Sequence, residues 1–106
     1  MKLFVDDFRK APGNDWTIAK NYNEAIMILD SLPVQELSLD HDLGKKRTGY
    51  DIICWIEEQM ETNNFIPPEK IICHSANPVG KNNIELAIKR ITRSKNENRR
   101  NNKQKT

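Results

Sequence analysis

Leu37-Ser38-Leu39-Asp40-His41-Asp42-Leu43-Gly44 decides how this chain is read. A short apolar run stops abruptly at an acid, a base and a second acid, then a glycine. The run has the length of a buried strand, and open α/β sheets place their chemistry where strands end. Two other stretches repeat the design. Lys2-Leu3-Phe4-Val5 ends in Asp6-Asp7, with Arg9 just after, and Lys70-Ile71-Ile72-Cys73 ends in His74-Ser75-Ala76-Asn77. Both histidines of the chain and four of its aspartates therefore fall just past a predicted strand.

Working outward, the stretch after Val5 contains Pro12-Gly13-Asn14-Asp15, which is turn chemistry, and no helix fits there. Trp16 to Ala19 reads as a short second strand. Asn21 or Asn23 can cap a first helix whose apolar face is Ala25, Ile26, Ile28, Leu29 and Leu32, and Pro33 ends it. The strand ending at Leu39 is the third. Gly44-Lys45-Lys46-Arg47 reads as an exposed basic loop, and Thr48 with Asp51 has capping-box spacing at the start of a second helix. Ile52, Ile53, Trp55, Ile56 and Met60 form its buried stripe, closed by Asn63-Asn64 and Pro67-Pro68. The fourth strand covers Lys70 to Cys73. Asn77-Pro78 is an N-cap followed by proline at the first helical position, and Ile84, Ala87, Ile88 and Ile91 supply the face of a third helix.

The resulting pattern, β-β-α-β-α-β-α, predicts an α/β fold: a small, mostly parallel four-stranded sheet flanked by helices in three layers, a truncated receiver-like or flavodoxin-like architecture. The carboxyl ends of parallel strands share one rim. Polar residues far apart in sequence then meet in one cleft.

The totals agree with one small domain. The chain has 106 residues, 17 lysines and arginines, 15 aspartates and glutamates, and a net charge of +2. That sum hides an asymmetry: residues 93–106 carry +5 and residues 1–92 carry −3. The domain is expected over 1–92, with 93–106 a basic, disordered tail, because apolar periodicity stops there. Solubilising charge explains the tail better than RNA binding, since no aromatic residue is interleaved to stack on bases. No apolar run approaches the ~18 residues of a membrane span and no signal-like segment leads the chain, so a cytoplasmic location without a membrane partner is expected. Cys54 and Cys73 lie in apolar stretches without a CxxC and read as buried small side chains.

Asp6, Asp7 and Asp40 or Asp42 form a carboxylate cluster, which repels itself unless a cation, an arginine or protons intervene. Mg²⁺ suits such oxygen ligands. The plainer reading is turn aspartates facing solvent. An imidazole can donate or accept a proton in the working pH range, so His41 and His74 can share acid and base roles across a phosphate; the plainer reading is one structural and one exposed imidazole. Arg9 can fork onto a phosphate. Ser75 and Asn77, at a strand-to-helix junction, can bind phosphate oxygens or simply cap the helix. Ser75 to Asn82 lacks the first glycine of a phosphate loop and the hydroxyl residue after its lysine, so a nucleoside triphosphate site is excluded.

At these residues a family resemblance emerges. Leu3-Phe4-Val5-Asp6-Asp7 with Arg9, then Leu39-Asp40-His41-Asp42-Leu43-Gly44, then Thr48-Gly49-Tyr50-Asp51, then His74-Ser75-Ala76-Asn77-Pro78, resembles the cyclic-phosphate processing receiver-like domain, a variant of the response-regulator receiver fold. Ordinary receivers carry an acidic pair after the first strand and an aspartate after the third, which hold Mg²⁺ and accept a phosphoryl group; Asp6, Asp7 and Asp40 match those positions. The chain departs from receivers in lacking room for a helix between the first two strands, in ending before a fifth strand with its lysine, and in adding His41 and His74. Those departures speak against phospho-acceptance at Asp40. The resemblance implies a phosphoesterase acting on a 2′,3′-cyclic RNA end or a cyclic nucleotide; the sequence leaves monomer or homodimer undecided. His41 and His74 would be acid and base. Asp40 or Asp42 would orient a histidine or, with Asp6 and Asp7, hold a metal, and Arg9, Ser75 and Asn77 would bind the phosphoryl oxygens. The rival reading is a non-catalytic receiver-like module that binds a nucleotide, a phosphate or a protein partner through the same rim. Aspartyl-phosphate phosphatases place their Asp-x-Asp after the first strand, not the third.

Overall fold

The computed structural model describes residues 1–44 and 46–104, with side chains as far as Glu97. Four strands, β1 (Lys2–Val5), β2 (Trp16–Ala19), β3 (Glu36–Leu39) and β4 (Lys70–Cys73), form one all-parallel sheet in the order β2-β1-β3-β4. Three helices accompany them: α1 (Tyr22–Ser31), α2 (Gly49–Asn63) and α3 (Pro78–Gln104).

The helix ends follow from local chemistry. The Asn21 side chain accepts the Glu24 amide at the start of α1. Thr48 and Asp51 close a reciprocal capping box on α2, and Asn64, at φ 55°, ends that helix in the left-handed conformation. At α3, Asn77 Oδ1 accepts the Gly80 amide while Pro78 fills the first turn, where a missing N–H costs nothing.

Strand alternation sorts the sheet into two faces. Leu3, Val5, Leu37, Leu39 and Cys73 point one way, into a core completed by Ala25, Leu29, Ile52, Ile53, Ile56, Ile84, Ala87 and Ile91 of the helices. Trp55 and Met60, expected in the α2 stripe, pack only partly against it, and Leu32 is exposed at the α1 terminus. Both cysteines are free, Cys73 buried and Cys54 partly so.

Phe4, Ile18, Ser38 and Ile72 share the other face in one row across the sheet. No helix of the described residues covers them. The steps from β2 to β3 and from β3 to β4 run in the same direction across the sheet, so right-handed crossovers deliver α1 and α2 to the same side. α3 packs on α2 and β4 of that side. Only the step from β1 to β2 runs the opposite way, and residues 6–15 make it as a loop. The parallel sheet and receiver-like architecture are as the sequence predicts, but the layering is a correction: two layers, not three. Ile18 and Ile72 remain 48% and 40% exposed.

The last helix runs past the boundary expected at residue 92. The chain from Arg93 continues α3 as helix to Gln104. No proline or glycine follows Gly80, and lysine, arginine, glutamate and glutamine sustain helix without an apolar face. Loss of periodicity marks where packing ends, not where the helix must.

Candidate functional site at the carboxyl rim

The parallel ladder runs one residue beyond each strand. The Asp6 amide bonds the Ala19 carbonyl, the Asp40 amide that of Val5, and the His74 amide that of Leu39, each at 3.0 Å. With Val5, Leu39 and Cys73 in register, Asp6, Asp40 and His74 stand side by side along the rim. Alternation places them on the side of Phe4 and Ser38, the bare face.

Asp6 is the anchor. Its side chain is 1% exposed, and a buried carboxylate survives only when paired and hydrogen-bonded. Oδ1 accepts the amides of Phe8 and Arg9, both at 2.8 Å, and Oδ2 meets His74 Nε2 at 2.9 Å. Burial pushes the Asp6 carboxyl upward, but the Arg9 and Phe8 amides and the His74 ring outweigh it and hold it below its ordinary value. An ionised Asp6 only accepts, so His74 Nε2 carries the proton. His74 Nδ1 lies 2.8 Å from Ser38 Oγ, and the ring lies flat on Phe4, 4.4 Å between centroids at 3°. Both ring nitrogens are therefore engaged. The Arg9 guanidinium in turn donates to the His74 carbonyl at 2.6 Å.

His41 is held differently. Its Nδ1 lies 3.2 Å from Asp42 Oδ1, and Asp42 Oδ2 accepts from Asn77 Nδ2 at 3.4 Å. The ring rests on Gly80 in the first turn of α3, where a Cβ would collide with it. Among the described residues no group bonds Nε2 of His41. Ser75 is buried and its Oγ accepts the Asn77 amide, the capping role rather than an open phosphate contact.

Asp6, Asp7 and Asp40 each offer one carboxylate oxygen, and the three atoms lie within 4.8 Å of one another. Gly44, at φ 68°, a left-handed conformation that favours glycine, brings the loop after β3 against the Asp7 carboxylate. The donor set is all hard oxygen and fits a cation such as Mg²⁺, although Asp6 already takes three donors. Asp40 Oδ1 also accepts the His41 amide at 2.8 Å.

The structure thus brings every residue singled out in the sequence to one rim. It divides the histidines between the bare face and the start of α3. Ser38 was not singled out: it reads as one polar residue inside an apolar strand. Its even spacing from Asp40 is the signal that puts it on the site's side of the sheet.

No helix of the described residues is long and apolar enough to cross a membrane. No curated protein and no solved structure gives a significant match. The sequence family described as the cyclic-phosphate processing Receiver domain matches residues 1–90, the stretch that holds the whole sheet and rim. By the acidic pair after β1, the Asp-His-Asp after β3 and the histidine after β4, now seen on one rim, and by that match, the chain belongs to the cyclic-phosphate processing receiver domain family.

Proposed function

We propose that the rim hydrolyses a cyclic phosphodiester, a 2′,3′-cyclic RNA end or a cyclic nucleotide, with His41 as the proton-transferring group. The observation that carries this reading is the difference between the two histidines. His41 has Asp42 on one nitrogen and none of the described residues on the other, the arrangement of an oriented acid/base. His74, bonded on both nitrogens, acts as a positioning residue that fixes Asp6 and, through its carbonyl, Arg9. This reassigns the role that an equal sharing of acid and base would give His74.

In this reading His41 Nε2 takes the proton of a water that attacks phosphorus as the P–O bond to the ribose oxygen breaks, and solvent protonates the freed oxygen. Arg9 has guanidinium donors left to aim at the phosphoryl oxygens, and Asn77 keeps Asp42 and His41 in register. Ser75 acts through the turn that sets Asn77. Asp6, Asp7 and Asp40 would hold Mg²⁺, which supplies positive charge beside the phosphoryl group.

The test is turnover of 2′,3′-cyclic AMP and 3′,5′-cyclic AMP by the full chain, with Mg²⁺ and with chelator, beside His41→Ala. The expected loss in His41→Ala is on the order of 10²- to 10⁴-fold. Undiminished turnover in that variant sinks the role of His41, and unchanged turnover in chelator removes the metal. The closed Asp6–His74–Ser38 chain favours one other reading, a module that binds the phosphate without cleaving it. That module would bind the esters with wild-type affinity in His41→Ala and turn over neither.

A further inference from the structure

We propose that Phe8 is a stacking platform for the nucleobase of the substrate, so that the rim takes nucleotide esters in preference to cyclic phosphates without a base. The inference rests on the cyclic-phosphate reading above and names what lies beyond the phosphate.

Phe8 is 91% exposed, the most exposed of the large apolar side chains described. A phenylalanine in water forgoes the burial that stabilises such side chains elsewhere, so its placement calls for a reason. The ring does not hang on a loose loop. The Phe8 amide is tied at 2.8 Å to Asp6 Oδ1, and the next amide, of Arg9, is tied to the same oxygen. One buried carboxylate thus fixes the backbone under the exposed ring, the backbone of Arg9, and the ring of His74.

Phe8 also borders a groove of about 410 Å³ that it shares with Asp6, Asp7, Arg9, Ile18 and Lys20. That volume falls in the ~300–1,000 Å³ range of small-molecule sites. Its lining combines Asp6, Asp7 and Arg9 with the apolar surface of Phe8 and the half-exposed Ile18. A ligand that matches this lining carries both a phosphate and a flat, weakly polar ring. Every nucleobase presents such a face, and stacking on an aromatic side chain tolerates any base.

The experiment measures equilibrium affinity for 2′,3′-cyclic AMP and for glycerol 1,2-cyclic phosphate, the same kind of ring ester without a base. The His41→Ala chain is used so that the ligand survives, with and without Phe8→Ala or Phe8→Trp. The expected result is tighter binding of the nucleotide, a nucleotide-to-glycerol affinity ratio that falls roughly 5- to 140-fold in Phe8→Ala, and recovery of the ratio in Phe8→Trp. The fold-range is ~1–3 kcal/mol per stacked base at ~1.4 kcal/mol per tenfold. A ratio unchanged by Phe8→Ala overturns the platform and leaves the phosphate site standing. Binding of neither ester overturns the cyclic-phosphate reading and this inference with it. A ratio that collapses in Phe8→Ala, beside a wild-type chain without turnover, upholds the platform and refutes the hydrolysis.

Discussion

The two faces of the sheet are built from the same four strands and behave as different materials. One is aliphatic, dry and closed by three helices around Leu3, Val5, Leu37 and Leu39. The other carries Ile18 and Ile72 half in water, and its one well-buried patch is Phe4 beneath the His74 ring, edge-on to Trp16. On the first face, packing holds the fold. On the second, a polar chain from Asp6 through His74 to Ser38 substitutes for packing. Aliphatic packing and the buried polar chain are thereby separated by the thickness of one sheet.

That contrast can be broken by substitution. The largest effect is expected from Asp6→Ala, which leaves His74 and two amides without their acceptor. It should cost about 3–5 kcal/mol by denaturant unfolding, as for a buried pair that loses one member. A cost below about 1 kcal/mol would mean that the polar chain does not hold the bare side. The same carboxylate sets an acid limb. Its folded pKa is lowered, so its stabilisation is complete above the unfolded value near ~4 and is lost as pH falls through the folded value. Asp6→Asn should flatten that limb in unfolding curves taken across acid pH.

The direct comparison is Leu39→Ala against Ile18→Ala. The first empties a closed core position and should cost about 3 kcal/mol. The second trims a half-exposed side chain and should cost about 1 kcal/mol or less. Equal costs would show that something covers the second face in solution. The smallest effect belongs to the tie between α2 and α3. Arg90 grips both oxygens of Glu57 at 2.9 and 3.1 Å, but half of its side chain is in water, so Arg90→Ala should cost about 0.5 kcal/mol in unfolding.

Much of this was legible in the sequence, for local reasons. Short apolar runs bounded by acids, a capping box at Thr48 and Asp51, and prolines at 33, 67 and 78 each act within a few residues, and the elements they predict are the ones found. The rim was legible because parallel strands must share their ends. What was not legible depends on facts that no local pattern carries. The bare face follows from the direction in which each strand steps across the sheet, which requires the order β2-β1-β3-β4. Without it, the missing helix in residues 6–15 reads as a short loop rather than as a missing layer. Ser38 was hidden because its partner, His74, is 36 residues away. The helix beyond Arg93 was hidden because packing and helix propensity are separate signals, and only the first stops there.

The loop that replaces that layer has no regular structure between Asp6 and Asp15, yet its first two turning amides end on a carboxylate sealed inside the protein. Both hydrogens are held by Asp6, which also holds the ring of His74. In hydrogen-exchange terms, Phe8 and Arg9 belong to the same cooperative unit as β1 and the end of β4, although they lie in the most open part of the chain. This loop segment is therefore expected to open with the sheet rather than as a free surface loop. Under the proposed function, the site would meet its substrate already assembled.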